Sequence, residues 1–183
     1  RDARVRRYRR LSEEVVSDAA LFAVDGALSL TQGERDKLTQ RLLGRFGSVS
    51  QRRSLVIKLN SLLPGGETVR PDSDVTVEHI LPRNPEPGST WLDVWPHLAE
   101  RRELCDSLGN FCLLTKRDNQ SADRLDFLEK RDQIFRSKIT GGQFALTRDA
   151  AAYAEWTPDV VKERTQRLVS LLIRDWKLDL PAG

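Results

Sequence analysis

The chain of 183 residues contains no methionine, and it has only two histidines and two cysteines. No apolar run approaches the roughly 20 residues of a membrane-spanning helix, which argues against a membrane protein. The chain opens on arginines with no apolar segment behind them, so it shows no secretory signal peptide and we expect a cytoplasmic protein. Since methionine is missing even at position 1, we expect a piece of a longer protein.

The two cysteines, Cys105 and Cys112, do not form the C-x-x-C pair that is typical of zinc sites. Together with His79 and His97 they would be numerous enough to bind one zinc ion. Cys112, however, alternates with apolar strand residues, and a buried reduced thiol is common in such a position. We therefore favour two free thiols over a zinc site, and a reducing compartment also disfavours a disulfide.

A glycine loop for binding nucleotide phosphates is missing as well. Neither Gly65-Gly66 nor Gly141-Gly142 is followed by lysine and then serine or threonine. Because that lysine is needed to reach the phosphates, we expect no nucleotide hydrolysis by this chain.

The residues that are present favour a folded, mostly helical protein. Hydrophobic residues make up 39% of the chain and charged residues 31%, as in globular proteins. Apolar spacing and capping signals near the start predict three helices, at about 12–27, 31–44 and 48–63. Pro64-Gly65-Gly66 ends the third. We predict a helical annex or linker region at 1–66 and a second domain at 67–183.

The second domain begins with a short strand. β-branched residues alternate from Val75 to His79, and Pro82 cannot continue a ladder, so the strand must end near His79. Leu108-Gly109-Asn110 predicts a tight turn into an apolar strand at 111–114. A polar segment that suits a short helix follows the second strand.

The long insertion between the strands contains Trp91 and Trp95, which we interpret as core residues, and a predicted helix at 97–105. Beyond the second strand, three start signals predict further helices: Asp126-x-x-Glu129 for a helix to about 138, Thr147 for one at 148–155, and Thr157-Pro158 for the last. The predicted fold class is α+β, mostly helical and built around a small ββα hairpin unit.

The motifs of this unit resemble a known nuclease core. Glu78-His79-Ile80-Leu81-Pro82, Leu108-Gly109-Asn110, Asn119 and Phe127-x-x-Lys130 resemble the His-Me finger (HNH) core, and more narrowly the C-terminal nuclease domain of GmrSD-type restriction enzymes and SspE-type phage-defence proteins. The similarity extends to Trp176. It implies a DNA endonuclease in which Asn110 braces the finger and orients His79, and Lys130 lies near a phosphate. It also implies a partner domain, N-terminal to the nuclease, that hydrolyses nucleotides and senses DNA modification.

Hydrolysis of a phosphodiester requires a base and a cation. His79 suits the base, because an unperturbed imidazole has a pKa of about 6.5. Mg²⁺ or Mn²⁺ prefers hard oxygen ligands, and Asn119 and Glu78 are the candidates. Alternation along the strand would point Glu78 away from His79 unless the strand ends there. Where such nucleases usually have a final histidine this chain has Asn119, so Mg²⁺ or Mn²⁺ is favoured over zinc.

Two basic clusters are candidates for contact with DNA phosphates. The first consists of six arginines within the first ten residues and is either a DNA contact or a solvated linker. The second surrounds the predicted site and comprises Lys116, Arg117, Arg124, Lys130 and Arg131. Ordinary solvated helix faces are the alternative for this second cluster.

Simpler interpretations of the site residues remain open. His79 would then be an ordinary surface or core residue, Asn110 a turn residue and Asn119 a helix cap. The alternative function is a noncatalytic helical module that binds DNA or a protein partner, and an RNA substrate is a lesser alternative.

Overall fold

The structure is a computed structural model, and it describes residues 2–17, 26–70, 74–137 and 141–178. The α-helices are α1 (Asp2–Val16), α2 (Gln32–Leu43), α3 (Val49–Leu62), α4 (Thr90–Val94), α5 (Leu98–Leu104), α6 (Lys116–Ala122), α7 (Phe127–Glu129), α8 (Ala145–Ala151) and α9 (Pro158–Asp175). The strands are β1 (Val75–His79) and β2 (Phe111–Thr115). Short 3₁₀ turns occupy Leu108–Asn110 and Gly141–Gln143, and a π-helix, Lys130–Phe135, continues α7. The fold is mostly helical α+β, as predicted.

The two strands pair antiparallel, with Val75 opposite Thr115 and His79 opposite Phe111. Just past the end of β1, the Ile80 amide donates to the Asn110 carbonyl at 3.0 Å. Helix α6 follows β2 directly, because the Thr115 hydroxyl accepts a hydrogen bond from the Asp118 amide and so caps the helix. The hairpin and α6 together form the predicted ββα unit.

The hairpin separates two hydrophobic cores. Val75, Phe111 and Leu113 lie on the face that packs into the first core, with apolar residues of α2, α3, α8 and α9. Cys112 and Leu114 lie on the opposite face and pack into the second core, with Trp91 and Trp95 among its buried residues. Full burial of each large apolar side chain contributes about 1.5–3 kcal/mol. Helices α2 and α3 of the predicted annex therefore share a core with the hairpin.

Gly109 is required by a close approach between two elements. A Cβ atom at this position would lie 2.3 Å from the Val161 carbonyl of α9, which no side chain tolerates. The Gly109 amide instead donates to the Thr165 hydroxyl at 3.0 Å. The predicted tight turn is a 3₁₀ turn seated on α9.

Most helix starts lie where the capping signals predict them. Thr31 forms a capping box with Glu34 at the start of α2, the Ser48 hydroxyl accepts from Gln51 at the start of α3, and Thr157 caps α9. Asp126 and Glu129 also form the predicted capping box. Trp91 and Trp95 are 2% and 1% exposed, which confirms them as core residues.

Three helix predictions need correction. The first helix begins at Asp2 rather than near residue 12 and ends at Val16; part of its predicted apolar face, residues 19, 22 and 23, lies outside the described residues. Thr147 does not cap a helix but lies inside α8, where its hydroxyl donates to the Leu113 carbonyl of β2. The helix after Asp126 is α-helical for one turn only and then widens into the π-helix; its predicted end near 138 lies outside the described residues.

Across the described ranges, no helix combines the length and the apolar character that a membrane crossing requires.

Candidate active site

His79 lies at the end of β1, where the hairpin opens to solvent. Its side chain is 19% exposed, and its ring stands edge-on to Phe111 at a centroid distance of 5.0 Å. Its Nε2 atom lies 3.2 Å from Asp106 Oδ1 and 3.1 Å from the Arg52 guanidinium. The imidazole is thus held in one orientation and still reaches the surface.

The imidazole of His79 is neutral at pH 7. Burial is the main cause that lowers the pKa of His79, to about 4; the hydrogen bond with Asp106 opposes this, and the charges of Arg83 and Arg52 add to it. Nε2 thus lies between a donor, Arg52, and an acceptor, Asp106, so the tautomer depends on which of the two it bonds. A carboxylate has no proton to donate, so a hydrogen bond with Asp106 places the proton on Nε2. That tautomer leaves the lone pair of Nδ1 as the proton acceptor.

Asp106 is the centre of an arginine cluster. Its Oδ1 accepts from Arg83 Nε at 3.2 Å and Arg83 NH2 at 2.6 Å, and from Arg52 NH1 at 3.4 Å. Its Oδ2 accepts from Arg45 NH2 at 3.2 Å. Although burial alone would raise the pKa of Asp106, hydrogen bonds from Arg83, His79 and Arg45 hold it at about 2. The carboxylate therefore stays ionised and ties the three arginines to the imidazole.

A cleft of about 360 Å³ opens beside this cluster, lined by Arg45, Arg83, Asn84, Arg102, Cys105 and Asp106. The side chains of Arg45 and Arg83 are 59% and 50% exposed, whereas that of Arg52 is 7% exposed. Three guanidinium groups around one carboxylate leave an excess of positive charge beside a neutral imidazole. Such a concave basic surface attracts anions.

His79, Cys105 and Asp106 place potential metal ligands within 4.8 Å of one another. Burial, with the nearby Asp106 charge, raises the pKa of the Cys105 thiol to about 12, and Sγ donates to the Leu81 carbonyl at 3.6 Å. A thiol that keeps its proton is a poor metal ligand, and the Asp106 oxygens already accept from three arginines. As arranged, this cluster fits an anion better than a divalent cation.

Asn110 is fully buried and uses its whole side chain within the fold. Its Nδ2 donates to the carbonyls of Leu81 at 3.0 Å and Cys105 at 2.9 Å, and its Oδ1 accepts from the Leu81 amide at 2.8 Å and Trp156 Nε1 at 3.0 Å. These bonds join the segment that follows His79 to the segment that precedes Asp106. Asn110 therefore braces these two segments against each other, and its predicted part in catalysis stays a prediction.

Glu78 points to the opposite face of β1 from His79, as strand alternation requires. Its Oε1 accepts from Lys130 Nζ at 2.6 Å in a buried ion pair. Burial raises the pKa of Glu78, and the Lys130 ammonium counteracts this. A metal ion at Glu78 would have to share this carboxylate with the ammonium, so the predicted metal role does not fit the arrangement seen.

Lys130 is 0% exposed, so the ammonium is not available to a DNA phosphate. It also donates to the carbonyls of His79 at 3.0 Å and Ile80 at 3.1 Å. Strand alternation turns Glu78 into the second core, where an unpaired carboxylate would be costly. Lys130, the first residue of the π-helix, is buried because it neutralises this carboxylate. Lys130 therefore fixes the backbone at His79 and Ile80 from the second-core side of the hairpin.

Asn119 lies on α6, above the same face of β1 as Glu78. Its Nδ2 donates to Thr76 Oγ1 at 2.9 Å and to the Val77 carbonyl at 3.4 Å. The His79 ring, by contrast, faces α3, where its Nε2 meets Arg52 and Asp106. The predicted convergence of His79 and Asn119 on one divalent ion is therefore not formed, because the hairpin lies between them.

The predicted DNA-binding residues are not equivalent. Lys116 and Arg117 are exposed at the start of α6. Arg124 pairs with Glu86, and Arg131 pairs with Asp132; both are engaged on the protein's own surface.

Sequence reasoning missed the arginine cluster and its carboxylate, which are Arg45, Arg52, Arg83 and Asp106. Arg83 follows the Pro82 that ends the histidine motif, and Asp106 lies four residues before Asn110, so their nearness to the motifs was a usable signal. Arg45 and Arg52 carry no such signal, because only tertiary packing brings them to the site.

A family model described as the C-terminal domain of GmrSD restriction endonucleases matches residues 34–171. The match includes α3, the hairpin and the whole arginine cluster. No curated protein and no solved structure matches the chain.

Proposed function

Because the chain belongs to the family of GmrSD restriction endonuclease C-terminal domains, we propose that it is the HNH-type nuclease domain of a bacterial restriction or phage-defence protein. In this proposal it hydrolyses DNA phosphodiesters. One observation carries the assignment to a particular site: His79, neutral at pH 7, is held by Asp106, and Asp106 lines a cleft with excess positive charge.

The reaction uses the lone pair on His79 Nδ1. This atom takes a proton from water, the water oxygen bonds to phosphorus, and the bond from phosphorus to the 3′-oxygen breaks. The departing 3′-oxygen takes a proton from solvent, so the products carry a 5′-phosphate and a 3′-hydroxyl. Asp106 holds the imidazole through Nε2 and stabilises the imidazolium that forms.

A divalent cation, Mg²⁺ or Mn²⁺, is part of the proposal, since it would stabilise the charge that develops on the phosphate. Neither of the two carboxylates near the site, Glu78 and Asp106, is arranged to hold the cation. Glu78 is paired with Lys130 on the face away from His79, and the oxygens of Asp106 are surrounded by arginines. The steps above therefore use only the chain's own groups, and cleavage with and without chelator tests the need for a cation.

The family resemblance also supports two broader proposals. In the full-length protein, an N-terminal domain that hydrolyses nucleotides and senses DNA modification would direct this nuclease. The site of action would be the cytoplasm, where invading DNA is met.

The test is cleavage of supercoiled plasmid by the intact chain with Mg²⁺, with Mn²⁺ and with chelator. His79→Ala is expected to abolish cleavage, whereas His97→Ala, which changes the chain's other histidine at an exposed helix start, is expected to keep it. Separation of nicked from linear products on a gel shows whether one or both strands are cut. Undiminished cleavage by His79→Ala would overturn the assignment of the base.

A second candidate function is a noncatalytic module that binds DNA or a protein partner. The observation that favours it is the position of His79 and Asn119 on opposite faces of the hairpin. If this alternative is correct, the chain binds DNA without metal, and neither the intact chain nor His79→Ala cleaves plasmid with any metal tested.

A further inference from the structure

We propose that Arg45 and Arg83 form a binding site for a DNA backbone phosphate at the mouth of the cleft beside His79. This inference deepens the proposed function and rests on it, because it names the groups that would hold the substrate at the same site.

The two arginines come from different parts of the chain and meet at one carboxylate. Arg45 lies in the connection between α2 and α3, and Arg83 lies in the loop that follows β1. Arg45 binds Asp106 through NH2 alone, and Arg83 binds it through Nε and NH2. A guanidinium has five N–H groups, so among the described residues both side chains keep N–H groups for a further acceptor.

The charge balance of the cluster indicates that this acceptor is an anion. Arg45, Arg52 and Arg83 surround the single charge of Asp106, and Arg102 also lines the cleft. A purely structural network would match cations with anions, as the Glu78–Lys130 pair does on the other face. Arginine forks match the geometry of phosphate oxygens, and a phosphate would balance the remaining charge.

The three arginines of the cluster have different roles. The guanidinium of Arg52 stacks over the Phe111 ring at 5.6 Å and is buried, so it is fixed beneath the imidazole. Arg45 and Arg83 are half exposed or more, so they can turn towards a ligand without exposing a core. A phosphate held there lies next to the imidazole, because both arginines share Asp106 with His79.

The test measures binding of a short DNA duplex by fluorescence anisotropy, in the His79→Ala background and without added metal. The variant is Arg45→Gln with Arg83→Gln. The matched control is Arg136→Gln with Lys162→Gln, which removes the same charge from two exposed cations that pair with Asp132 and Glu100. The variant is expected to weaken binding at least about tenfold and to reduce the salt-dependence slope by about 2, since each phosphate contact adds about 1 to that slope.

The control is expected to change that slope by less than about 1. Equal changes in slope for variant and control would overturn the proposal, because they would reflect net charge alone. Tighter binding of an RNA duplex than of the DNA duplex, with the same dependence on the two arginines, would overturn the assignment to DNA.

Loss of the fold is separated from loss of the contact by two further variants. Arg45→Gln alone leaves the Arg83 bonds to Asp106 intact and is expected to reduce the slope by about 1. Arg45→Lys with Arg83→Lys keeps the charge and is expected to keep most of the slope. Loss of affinity by the lysine variant equal to that of the glutamine variant, together with a lowered melting temperature, would contradict the site.

The inference and the proposed function fail in different ways. Plasmid cleavage that depends on His79 but not on Arg45 and Arg83 would leave the nuclease standing and remove the phosphate site. Binding that depends on the two arginines without any cleavage would leave the phosphate site standing and remove the nuclease.

Discussion

Asp106 connects two tasks that usually fall to separate residues. Its carboxylate orients the His79 imidazole, and it also accepts hydrogen bonds from Arg45 and Arg83, whose remaining N–H groups would bind a phosphate. The negative charge of the Asp106 carboxylate would therefore weaken the binding of a phosphate by the same two arginines that it holds in place.

This arrangement predicts a divided outcome for Asp106→Asn. The amide removes the competing negative charge, so DNA is expected to bind more tightly, by about 3- to 10-fold. Turnover is expected to fall by roughly 10- to 100-fold, because the imidazole loses the partner that fixes its tautomer. Duplex affinity and single-turnover cleavage, measured on the same preparation, check both. A parallel loss of affinity and turnover would show that Asp106 only supports the fold.

The pKa of His79 predicts how stability depends on pH. Because the fold lowers this pKa from 6.5 to about 4, the unfolded chain takes up the proton first as the pH falls. The free energy of unfolding is therefore expected to decrease between pH 6.5 and pH 4, by on the order of 2–3 kcal/mol from this group.

Urea denaturation at several pH values checks this against His79→Gln, in which that component of the pH dependence is expected to disappear. His97→Gln is the matched control. Identical pH profiles for the intact chain and His79→Gln would show that His79 titrates normally in the fold.

At the scale of single elements, local chemistry made the sequence informative. The caps at Thr31, Ser48 and Thr157 act over three or four residues, so the helix starts could be predicted from neighbouring residues alone. Pro82 and the β-branched residues likewise fixed the end of β1. The prediction that Thr147 caps a helix was wrong, because a hydroxyl that can cap a helix can equally form a hydrogen bond with a neighbouring strand.

The face on which a residue lies depends on packing and was predicted less well. Strand alternation already indicated that Glu78 points away from His79. The sequence could not show that α6 and the π-helix cover that face, since this follows from contacts among Trp91, Phe127 and their neighbours in the second core. The sequence therefore did not show that Asn119 and Lys130 lie on the Glu78 face of the hairpin, away from the His79 ring.

The buried position of Lys130 gives a prediction for this element. Lys130→Met is expected to destabilise the protein by about 3–5 kcal/mol, because it leaves the Glu78 carboxylate buried and unpaired. Lys130→Met combined with Glu78→Gln is expected to recover part of that loss. Urea denaturation of the single and double variants measures both. Unchanged stability with a loss of DNA affinity would instead support a phosphate contact by Lys130.

At the scale of the whole molecule, the first region of the chain supplies part of the site. Val56 and Leu59 of α3 are 0% exposed and belong to the core beneath the hairpin, and Arg52 of the same helix reaches the His79 ring. The motifs quoted for the family resemblance begin only at Glu78, so nothing in them indicated a contribution from α3.

Removal of the first region tests that contribution. A chain that begins at residue 67 is expected to lose cooperative thermal unfolding, because the core loses the apolar residues of α2 and α3. It is also expected to lose plasmid cleavage. Circular dichroism during heating, with the intact chain alongside, checks the first, and a gel assay checks the second. A stable and active 67–183 fragment would show that the annex is dispensable.

Evolution constrains the two faces of the hairpin differently. One face carries the buried Glu78–Lys130 ion pair, and the other carries the exposed arginines Arg45 and Arg83. Glu78 and Lys130 can be replaced only together, so among relatives we expect them to covary, with apolar pairs as the alternative state. Arg45 and Arg83 can be exchanged one at a time with little cost to folding. Single substitutions among relatives should therefore accumulate at Arg45 and Arg83, whereas the buried pair on the opposite face of the hairpin should change only as a pair.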